Sequence, residues 1–317
     1  MPEKFFPIDL SGLKTFSIAD RESKVSIDNF ASPWTRGGTF AEFLHTLPDI
    51  LAGADLHAVI EAVATAHGND RVVLFGMGGH VIKVGLNPLV IDLMDRGIIS
   101  AVAMNGAGII HDLEIAMAGK TSEDVAAALG DGAFGMAAEP AEFLSRAIET
   151  AANEEIGLGR AVGQAIVAAG LAHADQSILA AGARLDIPVT VHVAMGTDIL
   201  HMHPKFNPAA AGAASHRDFR IFASVVAALE GGVYLNVGSA VILPEVFLKA
   251  TTLARNLGHH LARFTTVNLD FIQHYRPLTN VVNRPTAGGG RGISLTGHHE
   301  ILLPLIAAGI IEKAPKG

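Results

Sequence analysis

The chain has 317 residues, half of them hydrophobic and 17% charged, with a formal net charge of -8. That is too apolar for a disordered chain and long enough to bury a large core, while the negative balance excludes sequence-independent nucleic-acid binding, which needs clustered Lys and Arg. There is no cysteine, so disulfides, thiolate nucleophiles and thiolate metal sites are excluded together, and only His, Asp and Glu remain as strong metal ligands.

Met1 to Pro7 contains no long apolar segment, and no uncharged apolar run reaches about 18 residues. A cytoplasmic protein that works on small molecules, without membrane or nucleic-acid partners, is therefore expected. Residues 1–40 mix Pro, Gly, Ser and charge, and the stretch Ser32 to Gly38 around the single tryptophan, Trp34, reads as loop. These residues are expected to form an N-terminal arm lying over the core or a neighbouring subunit, ahead of one α/β nucleotide-binding domain over 41–317. From Thr39 to His67 the apolar residues recur at helical spacing, broken where Gly53 is read as ending one helix and Asp55 as capping the next.

Val72 to Phe75 is an apolar run without alternation, as a central strand covered on both faces requires. Gly76, Gly78 and Gly79 follow, then a helix over 82–96 with Asp92 and Asp95 facing outward. A second strand over 98–104 stops at Asn105-Gly106-Ala107-Gly108, before another helix. Thr121 to Asp124 is a cap-like start, and Gly130 to Gly135 is a turn-rich link. Helices over 139–156, 158–171 and 177–185 precede a strand over 187–193. Helix 219–229, strand 231–237, helix 244–257 and strand 264–269 complete the series. Strands separated by helices rather than hairpins predict an α/β protein with a doubly wound, mainly parallel sheet and helices on both faces.

Four constellations carry the chemistry. Glycines 76, 78 and 79 at a strand-to-helix turn permit close approach to a phosphate, yet Val81 stands where the dinucleotide fingerprint has its third glycine, and Asn105 where an acid would hold a ribose. Asn105 to Asp112 is a second tip of the same kind, with His111 and Asp112 side by side; Asp112 reads either as a ligand group or as a helix cap. His192, Asp198, His201 and His203 supply enough nitrogen and oxygen for a divalent metal, although their spacing matches no established zinc signature; lining of a polar pocket or a structural loop are the alternatives. Asn268, Asp270, His274, Arg276, Asn283 and Arg291 are amide, imidazole, carboxylate and guanidinium groups suited to a phosphate or carboxylate substrate. His259-His260 and His298-His299 read as isolated surface or loop histidines, and no serine sits at a nucleophile elbow.

Leu74 to Leu86, Leu93 to Ile98 and Asn105 to Leu113 resemble, in order and spacing, the first cofactor tips of the deoxyhypusine synthase family. Weaker similarity at Gly196-Thr197-Asp198, Gly231-Gly232-Val233 and Val267-Asn268 extends it over most of residues 45–292. The resemblance implies a Rossmann-like fold and NAD as cofactor, with Gly76, Gly78, Gly79, Asn105, Gly106, Gly108 and Asp112 around it and Asp198, Gly238 and Ser239 closing the other side. It also implies a homo-oligomer, dimer or tetramer, with sites near subunit interfaces. The family's imine-forming lysine is missing, since Pro285 to Ile293 contains none, and arginine is too poor a nucleophile to replace it. Hydride transfer on a small substrate, with His80, His111 or His201 as acid or base, is therefore the expectation rather than aminobutyl transfer. The rivals are a metal-dependent hydrolase or lyase built on His192, Asp198, His201 and His203, and a non-catalytic ligand-binding protein.

Overall fold

Short apolar and β-branched runs become strands here because helices cover them from both sides. In the computed structural model, which describes residues 5–315, these are β1 (Val73–Met77), β2 (Ala101–Asn105), β3 (Val189–His192), β4 (Val233–Val237), β5 (Thr265–Asp270) and β6 (Arg291–Thr296). They form one all-parallel sheet in the order β3-β2-β1-β4-β5-β6. Chain order reverses direction between β1 and β4, the place where open α/β sheets leave a crevice beyond their carboxyl ends.

Helices α1 (Phe40–Thr46) and α2 (Ala52–Gly68) lead into β1, and α3 (His80–Lys83) and α4 (Asn87–Asp95) join it to β2. The long excursion to β3 contains α5 (Gly106–Ala118), α6 (Val125–Leu129), α7 (Ala138–Asn153), α8 (Leu158–Ala169) and α9 (Ile178–Leu185). α10 (Pro208–Ala227) precedes β4 and α11 (Ile242–Asn256) precedes β5. A short α12 (Tyr275–Pro277) and a π-helical turn (Leu278–Asn283) descend to β6, and α13 (His299–Lys313) follows it.

Alternate strand residues point to opposite faces, and the core divides accordingly. Phe75, Met77, Met104, Val191, Leu235 and Leu269 face the layer built from α2, α4, α5, α8, α9 and α13. Leu74, Ala103 and Tyr234 face Phe222 of α10 and Leu243 and Phe247 of α11, with the Tyr234 and Phe247 rings stacked 4.0 Å apart. Residues 5–39 form two single-turn 3₁₀ helices, Ile18–Asp20 and Ile27–Asn29, and are exposed almost throughout. Asn29 and Ser32 pair with Asp49 and Thr46 through the backbone.

Several boundaries differ from the sequence expectation, each for a local reason. Gly53 lies in the first turn of α2 rather than at a helix end, because α1 already stops at Thr46. The helix expected over 82–96 is two helices, interrupted at Gly85, whose φ of +77° no helix accommodates. α10 begins eleven residues early, at Pro208, with the Asn207 side chain accepting from the Ala209 and Ala210 amides. β6 and α13 were not expected: the alternating half-buried run Arg291–Thr296 is an edge strand hidden behind a glycine run.

Asp218 of α10 fastens one flank. Its buried carboxylate accepts from the Gly159 amide at 2.9 Å and the Val191 amide at 2.8 Å, tying the start of α8 to β3. Burial outweighs these bonds and pushes its pKa up to about 7 from 3.8. A carboxyl whose folded pKa is raised stabilises most below its unfolded value and loses that contribution as pH rises through the folded one. At 1.36 kcal/mol per unit, the change amounts to at most about 4 kcal/mol. Chemical denaturation should therefore find the protein more stable at pH 5.5 than at pH 8, and Asp218→Asn should flatten that slope.

Candidate functional site

The carboxyl edge of the sheet gathers the chain's polar tips. A cavity of about 260 Å³ opens above the end of β2, lined by Lys83, Asn105, His111, Glu114, Phe134 and Asp198, among others. Asn105 is half-buried and caps α5, its Oδ1 accepting from the Gly108 amide at 3.0 Å. Asp198 enters from the turn after β3. It accepts from the Ala194 amide at 2.9 Å, and burial raises its pKa despite this bond and the nearby His201.

Across the cavity wall, His111 Nδ1 lies 2.7 Å from Thr121 Oγ1, and the same hydroxyl donates to Glu114 Oε2. Burial alone would raise the Glu114 pKa, but hydrogen bonds from His111 and Thr121 leave it lowered. The i, i+3 spacing of His111 and Glu114 on one helix signals their pairing. Nothing in the sequence places Thr121 there, since it lies beyond the end of α5.

The candidate cofactor glycines are close-packing positions. A Cβ on Gly78 would stand 2.1 Å from the Gly238 carbonyl oxygen, and one on Gly106 would stand 2.1 Å from the Asp198 carboxyl. Gly76, Gly79 and Gly108 make room for Tyr234, His111 and Met104 in the same way, and Gly238 lies against His299. The turns therefore press protein against protein. Ser239 is buried and its Oγ accepts from the Leu243 amide, fastening the start of α11.

Asp112 is a cap, though not of its own helix. Fully buried, it accepts from the Ile178 amide at 2.9 Å and the Leu179 amide at 3.1 Å, and also from Ser177 and Asn87, so α5 holds the start of α9. Burial outweighs these four bonds and raises its pKa to about 6. It is sealed off from the cavity edge that Asn105 and His111 line.

A second polar group lies at the tips of β1, β4, β5 and β6. Asn236 donates to Asn268 Oδ1 at 2.7 Å and to the Ser239 carbonyl at 2.9 Å; Asn268 donates to Gln273, which reaches the Leu295 carbonyl. The two asparagines are paired residues of β4 and β5, so a polar residue interrupting both apolar runs is the legible signal. His299, read from sequence as a surface or loop residue, is instead fully buried. Its Nε2 meets the Leu269 carbonyl at 3.1 Å and its Nδ1 has no partner. The exposed His80 lies 5.3 Å from it, ring centre to ring centre.

The expected substrate set is divided. Asn268 and Asp270 sit at the β5 tip, where Asp270 accepts from the following Phe271 amide at 2.8 Å. His274 and Arg276 are exposed just beyond it, with Arg276 3.7 Å from Glu245. Arg291 opens β6 opposite Thr265 at the amino edge, and Asn283 ends the descending π-helical turn. These two cannot meet a ligand at the carboxyl tips, because the strand that separates the edges spans about 17 Å.

The four candidate metal ligands do not come together. His192 is buried on the sheet face, 3.1 Å from Thr190 Oγ1 and edge-on to Phe222, with its pKa lowered to about 3 by burial. His201 Nδ1 accepts from the Gly196 amide and His203 Nδ1 from the Lys205 amide. Each ring is turned to a local partner, and among the described residues no group of three or more His, Asp or Glu is placed to hold a metal ion. Nor is any helix among them long and apolar enough to cross a membrane.

No family model matches the sequence, and no curated protein matches it. Among solved structures, AgrE in complex with ornithine and NAD+ has a TM-score of 0.55 at 14% identity over 84% of this chain, which spans 34% of the AgrE chain. A conserved protein of Methanococcus maripaludis S2 assigned as LOR/SDH has a TM-score of 0.51 at 13% identity, over 83% of this chain and 71% of that one. A protein of Entamoeba histolytica assigned as a deoxyhypusine synthase has a TM-score of 0.50 at 10% identity, over 89% and 96% of the two chains. At such identities the likeness is one of fold, and the fold is the Rossmann-like one expected from sequence.

Because the Asp198 carboxyl occupies the space beside Gly106, Gly106→Ala should overpack this wall and cost about 1–3 kcal/mol in urea denaturation. Adding Asp198→Ala should recover part of that loss, the coupling expected of residues in contact.

Proposed function

We propose that the chain binds NAD or NADH along the carboxyl edge of its sheet and transfers hydride to or from a small substrate. The observation that carries this reading is the position of Asp198. The sheet has the strand order of dinucleotide-binding folds, but its second strand ends in Asn105, which is occupied in capping α5. Asp198 reaches the same cavity from the turn after β3 and offers the carboxylate that ribose hydroxyls require.

The residues fit one nucleoside end of such a cofactor. Glu114, Glu123 and Asp198 outnumber Lys83 around the cavity, so like-charge repulsion keeps phosphates out. The cavity is also smaller than a site that encloses a whole drug-sized ligand, which leaves the other half to lie along the tips of β1 and β4. Asn105 through its amide Nδ2, with His111 and Asp198, would hold the nucleoside by hydrogen bonds. The nicotinamide ring, when bound, supplies a hydride acceptor or donor. His80, exposed beyond β1, is the side chain available to move a proton at the switch point.

The reading includes a homo-oligomer, dimer or tetramer. Phe5, Phe6, Ile8, Phe16, Ile18 and Ile27 are each at least 73% exposed. At about 150 Å² or more per aromatic side chain, they and their neighbours approach the roughly 800 Å² that each partner contributes to a stable interface. On this reading residues 5–39, exposed almost throughout, are the arm that covers a second copy. Sedimentation should show a defined oligomer that dissociates when residues 1–31 are deleted.

Isothermal titration should give micromolar binding of NAD or NADH. Asp198→Asn, folded by circular dichroism, should weaken it about tenfold, the equivalent of one charge-assisted hydrogen bond. Absence of heat with both nucleotides overturns the reading.

A further inference from the structure

We propose that Glu114 and Thr121 are positioning residues that fix His111 as a hydrogen-bond acceptor facing the cavity, where it receives a ribose hydroxyl. The inference rests on the reading of that cavity as a nucleoside site. It follows from counting protons. A threonine hydroxyl has one proton to give, and in this structure it goes to the Glu114 carboxylate. His111 Nδ1, 2.7 Å from the same oxygen, must then donate its own N–H to a lone pair of Thr121. A neutral imidazole carries a single N–H, so Nε2 is left with a lone pair.

On this proposal that lone pair belongs to the cavity that His111 lines. Among the described residues Nε2 has no hydrogen-bond partner, and it is not among the buried atoms left unpaired. His111 itself lines the cavity, and its Cδ2 edge rests over Gly79. An unpaired acceptor at a cavity wall selects a donor. The ribose hydroxyl is the donor that a nucleoside brings, and Asp198, an acceptor lining the same cavity, suits the same diol. Thr121 reaches His111 from the segment between α5 and α6, so the chain after α5 sets the polarity of a group on α5.

The tautomer is directly observable. Imidazole ¹⁵N spectra of the full chain at alkaline pH should show His111 protonated at Nδ1, in Thr121→Ser as in wild type, and reverting to the Nε2–H form when Thr121→Val is combined with Glu114→Leu, which also removes the carboxylate 3.5 Å from Nδ1. Adenosine diphosphate should move the His111 Nε2 resonance, and its 2′,3′-dideoxy analogue should not. A wild-type Nε2–H form, or a double-variant spectrum identical to wild type, overturns the positioning role. An Nε2 resonance that responds to neither nucleotide, or equally to both, overturns the ribose assignment. Failure of NAD binding in the calorimeter with the Nδ1–H form intact would instead count against the cofactor reading alone.

Discussion

Helix starts leave amides without partners, and a parallel sheet wrapped in helices buries many of those starts. This chain meets the demand with its own oxygens. Asp218 serves the start of α8, Asp112 the start of α9, Asn105 the start of α5 and Ser239 the start of α11. Two of these oxygens belong to carboxylates carried by another element, so each cap is also a tertiary tie. The raised pKa values of Asp112 and Asp218 follow from the same arrangement, since a site dry enough to secure a helix start is dry enough to disfavour charge.

The same economy governs the glycine turns. In a phosphate-binding turn, missing Cβ atoms let a ligand approach the backbone. Here the vacated spaces admit a carbonyl at Gly78, a carboxyl at Gly106 and an imidazole at Gly79. The chain therefore shares strand order with dinucleotide-binding folds while using its small residues for packing. Open space is displaced to the cavity beyond β2, where Asp198, His111 and Glu114 line the wall.

That displacement explains which candidates came together. Asn105, His111 and Asp198 meet although they come from α5, its cap and a turn nearly a hundred residues later, because β2 and β3 are adjacent strands. His192, His201 and His203 are close in sequence yet diverge, because strand β3, the 3₁₀ helix Ile199–Met202 and the bend after it, which carry them in that order, give each ring a separate local partner.

Sequence by itself determined the layer architecture. Apolar runs without alternation, such as Val73–Met77, can be satisfied only between two helical layers, and glycine clusters mark where such strands stop. It also located Asn105, His111 and Asp198 as polar residues at strand tips. Only the tertiary structure decided that Asp112 is a buried tie, that Arg291 stands at the far edge, that His299 is buried and that Thr121 completes a contact with His111 and Glu114. Local pattern reports which face or tip a residue occupies. The partner it meets there depends on strand order and on long connections whose course no short-range periodicity encodes.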